Sequence, residues 1–599
     1  CVYFVSATRV DRELGAVKGE NTQLVAYERS PAMDGRHKLS ASGRTRDVGR
    51  VLAEIGPGKL LGVAERLPSG AEYFVFRGIP YAKAPVGELR FQPPQMLHQL
   101  PTSPLDCAQD APGCFTVDNY LPNDQMSEDC LHLNVFTPSL PSNPPSETPQ
   151  LPVMVWFHGG GFVTGSAQSS MYGAKHLVQE GVVVVTVNYR LGPLGFLCLP
   201  DVGIHGNMGL KDQRMSLVWV RENIRGFGGD PDNVTIFGQS AGGAAVHLHY
   251  LSEYSRPLFH KTIAQSGTAF NQWVLQKEPE VRARRLAKLL GCEMENNDGQ
   301  VYETLMNACP KELTELQYQV MASDERSVLV NFPFTPVIER PESQHPVITE
   351  HPVELIKRKF PENIPIMMGI MSEEGVAMAN HVLTSLDMYE RTLESQLIPF
   401  TLNVPDEKER KNAFSSIKQF FFKDQALSSE TVPYLVQVLG DNANKFANYL
   451  SAEFHHNHQS SPLFFYIFSY LSELNKFREL CQVPASCPGA AHGDDLCYLF
   501  SSTFFKTDEI DKTSPAQEYR RIMCKLWTNF AKFGTPTPDN SLGFHWSSIQ
   551  EADESKRLFD LHALDLNNDP TMVANPFAER FNFWKDLFQQ YNGSHLNIN

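Results

Sequence analysis

The chain has 599 residues, 42% hydrophobic and 20% charged, a balance suited to a globular protein with a sizeable buried core. A formal net charge of −16 argues against nucleic acid or an anionic membrane as partner, since neither offers a cationic surface. Eleven cysteines are too few for a disulfide scaffold in a chain of this length, and no paired CxxC marks a zinc site.

Residues 1–50 are polar and mixed in charge, without a sustained helical or strand period, and are expected to be a disordered leader or extension. No secretory signal is visible, which leaves localisation open between cytoplasmic and secreted. From Val51 onward short runs rich in Val, Ile and Phe alternate with helix-like segments: Val153–Phe157, Val182–Tyr189, Val234–Phe237, Lys261–Ala264, Ile366–Ile370 and Phe464–Tyr470. Several are apolar throughout, as strands covered on both faces by helices should be. The alternation predicts an α/β fold with a central, mostly parallel sheet, and a single domain over residues 51–592 followed by a tail at 593–599.

The Pro/Ser-rich stretch Pro138–Pro152 reads as a surface loop. The apolar stretch Gly181–Pro200 is interrupted by Asn188, Tyr189 and Arg190, so it predicts a buried strand rather than a transmembrane segment. Residues 280–360 and 380–460 are helix-rich and are expected to build a cap beside the site. Ser514-Pro515 opens a predicted helix with Ile522, Leu526, Phe530 and Phe533 on its apolar face, closed by Gly534.

The strongest local signal is Gly238-Gln239-Ser240-Ala241-Gly242, which follows the strand-like Asn233–Phe237 and precedes a helix-competent run. Strand, G-x-S-x-G and helix in succession are the context of a nucleophile elbow, with Ser240 at its tip. A serine hydroxyl attacks a carbonyl only when a base removes its proton, and the resulting oxyanion needs preorganised donors. His158-Gly159-Gly160-Gly161 follows the strand Val153–Phe157, where an oxyanion loop belongs, so the expected donors are the N–H groups of Gly160, Gly161 and Ala241. The fold orders the remaining partners as an acid and then a histidine. Spacing alone does not choose among the 19 histidines.

Between Val51 and Tyr591 the chain resembles the type-B carboxylesterase and cholinesterase family, insect carboxylesterases most of all. The resemblance rests on Phe76-Arg77-Gly78-Ile79-Pro80-Tyr81-Ala82, Ser127-Glu128-Asp129-Cys130-Leu131, Asn207-Met208-Gly209-Leu210, Phe227-Gly228-Gly229-Asp230-Pro231, the elbow, and Gln265-Ser266-Gly267. It implies an α/β-hydrolase fold and hydrolysis of small-molecule carboxylic esters without cofactor or metal, with sensitivity to organophosphate-type inhibitors. It further implies Glu374 as the acid, with Glu373 its exposed neighbour, His492 as the base, and Ser266 as support for the acid. Arg90 with Glu128 and Arg190 with Asp212 resemble the family's ion pairs. Cys114 with Cys130 resembles its first disulfide, with Cys107 a competing partner, and Cys292 with Cys309 a second.

Two departures bear on substrate. The stretch Cys114–Cys130 has no Trp, where cholinesterases hold choline by cation–π attraction. Gln239 stands where the family more often has Glu, and a Gln there resembles juvenile hormone esterases. Xenobiotic or lipid-like esters are thus expected, with juvenile hormone as an alternative. A non-catalytic cholinesterase-like binding module is the alternative from another class.

Overall fold

The computed structural model describes residues 49–117, 125–141, 150–328, 330–552 and 559–593. The expected leader, up to residue 48, the tail from residue 594 and the centre of the Pro/Ser-rich loop lie outside the described residues.

The strands are β1 (Arg50–Ile55), β2 (Gly58–Arg66), β3 (Glu72–Pro80), β4 (Leu105–Asp106), β5 (His132–Thr137), β6 (Leu151–Phe157), β7 (Val183–Val187), β8 (Cys198–Leu199), β9 (Ile204–His205), β10 (Gly229–Gln239), β11 (Lys261–Gln265), β12 (Ile366–Met371), β13 (Leu463–Phe468), β14 (His562–Leu566) and β15 (Thr571–Ala574). One sheet runs in the order β1-β2-β3-β5-β7-β6-β10-β11-β12-β13-β14-β15, with β4 beside β2. From β7 to β14 every neighbour is parallel, while both ends are antiparallel. This is the α/β-hydrolase architecture, mostly parallel at its centre and flanked by helices.

The continuous apolar runs have a simple cause. Successive strand residues face opposite sides, so Val153, Val155 and Phe157 enter one core while Met154 and Trp156 enter the other. In β13, Leu463, Phe465 and Ile467 divide from Phe464, Tyr466 and Phe468 in the same way. A strand covered on both faces has no polar side. Strands β1 to β3 mix buried and exposed positions and β15 has no fully buried one, and their signal is correspondingly weaker.

The helix Pro515–Phe533 forms as expected. Ala516 N–H donates to Ser514 Oγ (3.1 Å), and Gly534 closes the helix at φ +75°. Its buried face differs from the expected one: Tyr519, Met523, Leu526, Trp527 and Phe530 pack on the sheet, while Phe533 is 62% exposed. The terminal phenylalanine lies beyond the end of the covered face. The helix-rich regions 280–360 and 380–460 flank the carboxyl ends of the central strands and contribute Phe332, Ala443 and Asn444 to a cavity there.

Candidate active site

β10 ends at Gln239, and the helix Ala241–Leu251 begins two residues later. Ser240 bridges them at φ +59°, ψ −123°, a conformation seldom adopted by a residue with a side chain. Ser240 N–H donates to Gln265 O (2.8 Å) and its carbonyl accepts from Ala244 N–H (2.9 Å), so the turn is held from both sides. The glycine after it follows from packing: a Cβ on Gly242 would lie 2.0 Å from the Phe157 carbonyl oxygen.

That carbonyl ends β6, from which the glycine loop departs. His158 is buried, stacks on Tyr189 with ring centroids 4.4 Å apart, and has Nδ1 2.8 Å from Gly159 O. Burial pushes its imidazole down to about 4, so it packs as a neutral ring. Gly160 sits at φ +124°, its carbonyl accepting from Val163 and Thr164 N–H. The N–H groups of Gly160 and Gly161 have no protein acceptor among the described residues. Ala241 is the first residue of its helix, where N–H groups lack intrahelical acceptors.

Glu374 follows the end of β12. Its side chain is fully buried: Oε1 accepts from Met371 N–H (2.8 Å), and Oε2 lies 2.6 Å from His492 Nδ1. A buried carboxylate bound to Nδ1 leaves Nε2 as the imidazole's free acceptor. The loop bearing His492 is anchored by two buried acids. Asp494 accepts from Ala491 and Arg478 N–H (2.7 and 2.9 Å); Asp495 accepts from Gln265 Nε2 (2.7 Å) and Tyr466 OH (3.1 Å). Burial raises both to about 6. Asp495, three residues after His492, therefore ties the loop to the sheet.

Sequence reading missed two contacts of this imidazole. Gln239 Nε2 lies 3.1 Å from His492 Nε2, and Asn444 lies beside Nδ1 and Glu374. No hydrogen bond joins Ser240 Oγ to His492; Gln239 is the partner of Nε2. Position 239 had already stood out as a departure, whereas nothing marks Asn444 before the chain is folded.

Two expectations are corrected. Ser266 is buried near the site, its N–H donating to Gly369 O (2.8 Å), but its Oγ has no hydrogen-bond partner and does not hold Glu374. Glu373 is not an open neighbour: it is 3.8 Å from the buried Lys445 Nζ and lies under Gly489.

Cys114 and Cys130 form the disulfide, and Cys107 stays a buried thiol, pushed up to about 12 by burial. Cys292 and Cys309 form no second bridge: the first is buried after the helix Pro279–Leu289, and the second is exposed at the start of another helix. Both ion pairs form. Arg90 meets Glu128 through two 2.7 Å bonds and also reaches the carbonyls of Met306 and Ala308. Arg190 meets Asp212 at 2.8 and 2.7 Å with both side chains buried.

Ser240, His492 and Glu374 border a cavity of about 1380 Å³, counted to its open mouth. Trp273, Phe332, Met378, Phe477, Leu496 and Phe504 supply its apolar walls, and Glu374 is the one carboxylate lining it among the described residues. Among the described residues no Lys or Arg lines it. Among the described residues no helix is long and apolar enough to cross a membrane, and no cluster of His, Cys, Asp or Glu could hold a metal ion.

A serine on a strained strand-to-helix turn, beside a glycine loop and below a carboxylate-bound histidine, defines the α/β-hydrolase class. Comparison with known proteins narrows it: the model of the carboxylesterase family matches residues 50–584, and the chain belongs to that family. It is 30% identical over 552 residues to venom carboxylesterase-6 of Apis mellifera, covering 90% of this chain and 94% of that protein. It is 31% identical over 571 residues to the juvenile hormone esterase of Tribolium castaneum, covering 88% and 92%. The crystal structure of juvenile hormone esterase from Manduca sexta, with OTFP covalently attached, superposes with a TM-score of 0.77 at 26% identity, covering 90% of this chain and all of that one. The protein is a carboxylic ester hydrolase.

Proposed function

We propose that Ser240, His492 and Glu374 form the catalytic triad of this hydrolase, that Gly160, Gly161 and Ala241 supply the oxyanion donors, and that its substrates are neutral, apolar esters. The observation carrying this is the 2.6 Å contact of buried Glu374 with His492 at the wall of the cavity that Ser240 also borders. His492 Nε2 leaves Gln239 for the Ser240 hydroxyl and takes its proton as Oγ attacks the ester carbonyl. The oxyanion collapses, the C–O bond breaks, and His492 returns that proton to the departing alcohol. Water, deprotonated by the same nitrogen, then releases the acid from the acylated serine.

The apolar walls favour acyl and alkoxy groups without charge. A choline head would meet neither an acid other than Glu374 among the described lining residues nor a Trp in Cys114–Cys130. Juvenile hormone is the narrower reading, supported by Gln239 and by the two relatives that bear its name. Organophosphates fit the same chemistry, with phosphorus attacked in place of carbon.

Purified Ser240→Ala should stay folded and lose p-nitrophenyl butyrate hydrolysis by about 10⁴-fold or more in kcat. A fluorophosphonate probe should label the parent at Ser240 alone. Undiminished turnover, or labelling at another residue, defeats the assignment. Comparing kcat/KM for aryl esters, triglycerides, choline esters and juvenile hormone decides the substrate class.

A further inference from the structure

The helices Val432–Gly440 and Phe446–His458 are continuous except for one π-turn, Asp441–Lys445. A π-turn inserts an extra residue into a helix and costs stability, so it persists where something holds it and often marks a functional site. Here it is held on two sides. Asp441 accepts from Arg580 Nε (2.9 Å) and Trp584 Nε1 (3.0 Å) of the C-terminal helix, while the Ala443 carbonyl accepts from Asn271 Nδ2 (2.6 Å) and Trp273 Nε1 (2.8 Å). The residue this arrangement turns toward the cavity is Asn444, which is buried and has Nδ2 3.3 Å from Glu374 Oε2.

The orientation of this amide follows from its neighbours. Asn271 is fixed because Thr268 N–H donates to its Oδ1 (2.7 Å), so its Nδ2 must donate to Asn444 Oδ1 (3.0 Å). Turning Asn444 over would let its nitrogen donate to the Ala443 and Ser266 carbonyls (2.9 and 3.2 Å) and offer its Oδ1 to His492 Nδ1, but would set that nitrogen 3.0 Å from the Asn271 amide nitrogen, donor facing donor, and its oxygen against the Glu374 carboxylate. Asn444 Nδ2 therefore donates to Glu374, and its 3.2 Å approach to His492 Nδ1 is a contact between two donors that share the same carboxylate oxygen.

We infer that Asn444 is a positioning residue for the reaction, the side-chain amide that holds the triad acid in place of the unpartnered Ser266 hydroxyl. The inference rests on the triad proposed above. Glu374 is fully buried, and its three donors are the Met371 N–H, the His492 ring and this amide. A buried carboxylate with donors on both oxygens is fixed in rotation. The imidazole bonded to it is thereby aimed toward Ser240.

The test uses Asn444→Leu, which removes the donor at similar size, and Asn444→Asp, which keeps the shape and sets a second carboxyl against Glu374. With p-nitrophenyl butyrate, Asn444→Leu should lower kcat by roughly 10- to 100-fold with KM within about twofold. Asn444→Asp should move the acid limb of the kcat/KM profile to higher pH by about one unit or more, because two adjacent carboxyls share a proton. In a Glu374→Gln background Asn444→Leu should cost no further activity, since the two act as one unit. An equal loss with and without Glu374 would make Asn444 merely structural and overturn the inference while leaving the triad intact. An unmoved acid limb in Asn444→Asp would overturn it too, even if the Leu variant failed to fold. Full activity in Glu374→Gln itself would instead sink the triad.

Discussion

Acid should weaken this fold well before its ordinary carboxylates titrate. His158, His176, His247, His249 and His455 are buried as neutral rings, all driven down by burial: His158 to about 4, His247, His249 and His455 to about 3, and His176 well below its ordinary value. Their partners are neutral or cationic: the Ala269 N–H for His247, Ser255 and Gln213 for His249, the Tyr250 hydroxyl for His455 and Arg520 for His176. In the unfolded chain these rings protonate below about 6.5. As pH falls from there toward 3, the unfolded state therefore gains protons that the folded state refuses, and stability is lost. Asp494 and Asp495 act in the opposite sense: raised to about 6 in the fold, they keep protons that the unfolded chain releases down to about 4, which favours folding as pH drops through that window. Near pH 5 these seven groups set five protons against two, a net uptake of about three on unfolding and a contribution of about 4 kcal/mol per pH unit to the slope. For a chain of this size that lowers Tm by roughly 3 °C per unit. Calorimetry between pH 7 and 5 reads it directly, and His455→Gln should remove one proton's share of the slope, about 1.4 kcal/mol per pH unit. A Tm that holds constant or rises between pH 6.5 and 5 would refute the reasoning.

Gly160→Ala should lower kcat by about 10²- to 10³-fold in a folded protein, because its Cβ would stand 1.9 Å from the Thr164 carbonyl oxygen and turn the glycine loop proposed to hold the oxyanion; steady-state kinetics with an aryl ester checks this. Arg190→Met leaves Asp212 buried without its cation and should cost about 3–5 kcal/mol, seen as a lower urea midpoint. Gln239→Glu places an anion where an amide now meets His492 Nε2. The acid limb of kcat/KM should move to higher pH by about one unit, and a superimposable pH profile would show that the contact does not form in solution.

The central strands were legible because their function in the fold is extreme. Val153–Phe157 and Phe464–Phe468 are buried on both faces, so their sequence carries no polar period and stands out. β1 to β3 and β15 went unread because a strand that is half exposed resembles any mixed segment. On the helix Pro515–Phe533 the periodicity identified the element but misplaced its end: apolarity marks Phe533 and Phe530 alike, and only the extent of the sheet beneath decides which of them is covered.

At the site, Ser240 and the glycines at 159–161 could be read locally, since a tight strand-to-helix turn and an exposed amide loop each demand particular residues in consecutive order. Glu374 and His492 could not, because the contact between them spans 118 positions and either residue alone is unremarkable. Resemblance to a family supplied those two, and with them the Ser266 support that the structure does not contain. The chain by itself determined the class of its strands, the elbow and the loop. Only the tertiary structure decided what surrounds the histidine: Gln239 at one nitrogen, Glu374 and Asn444 at the other, and two buried aspartates beneath. Side chains from β10, the end of β12, a π-turn and the loop after β13 meet there, and no period or spacing along the chain encodes their convergence.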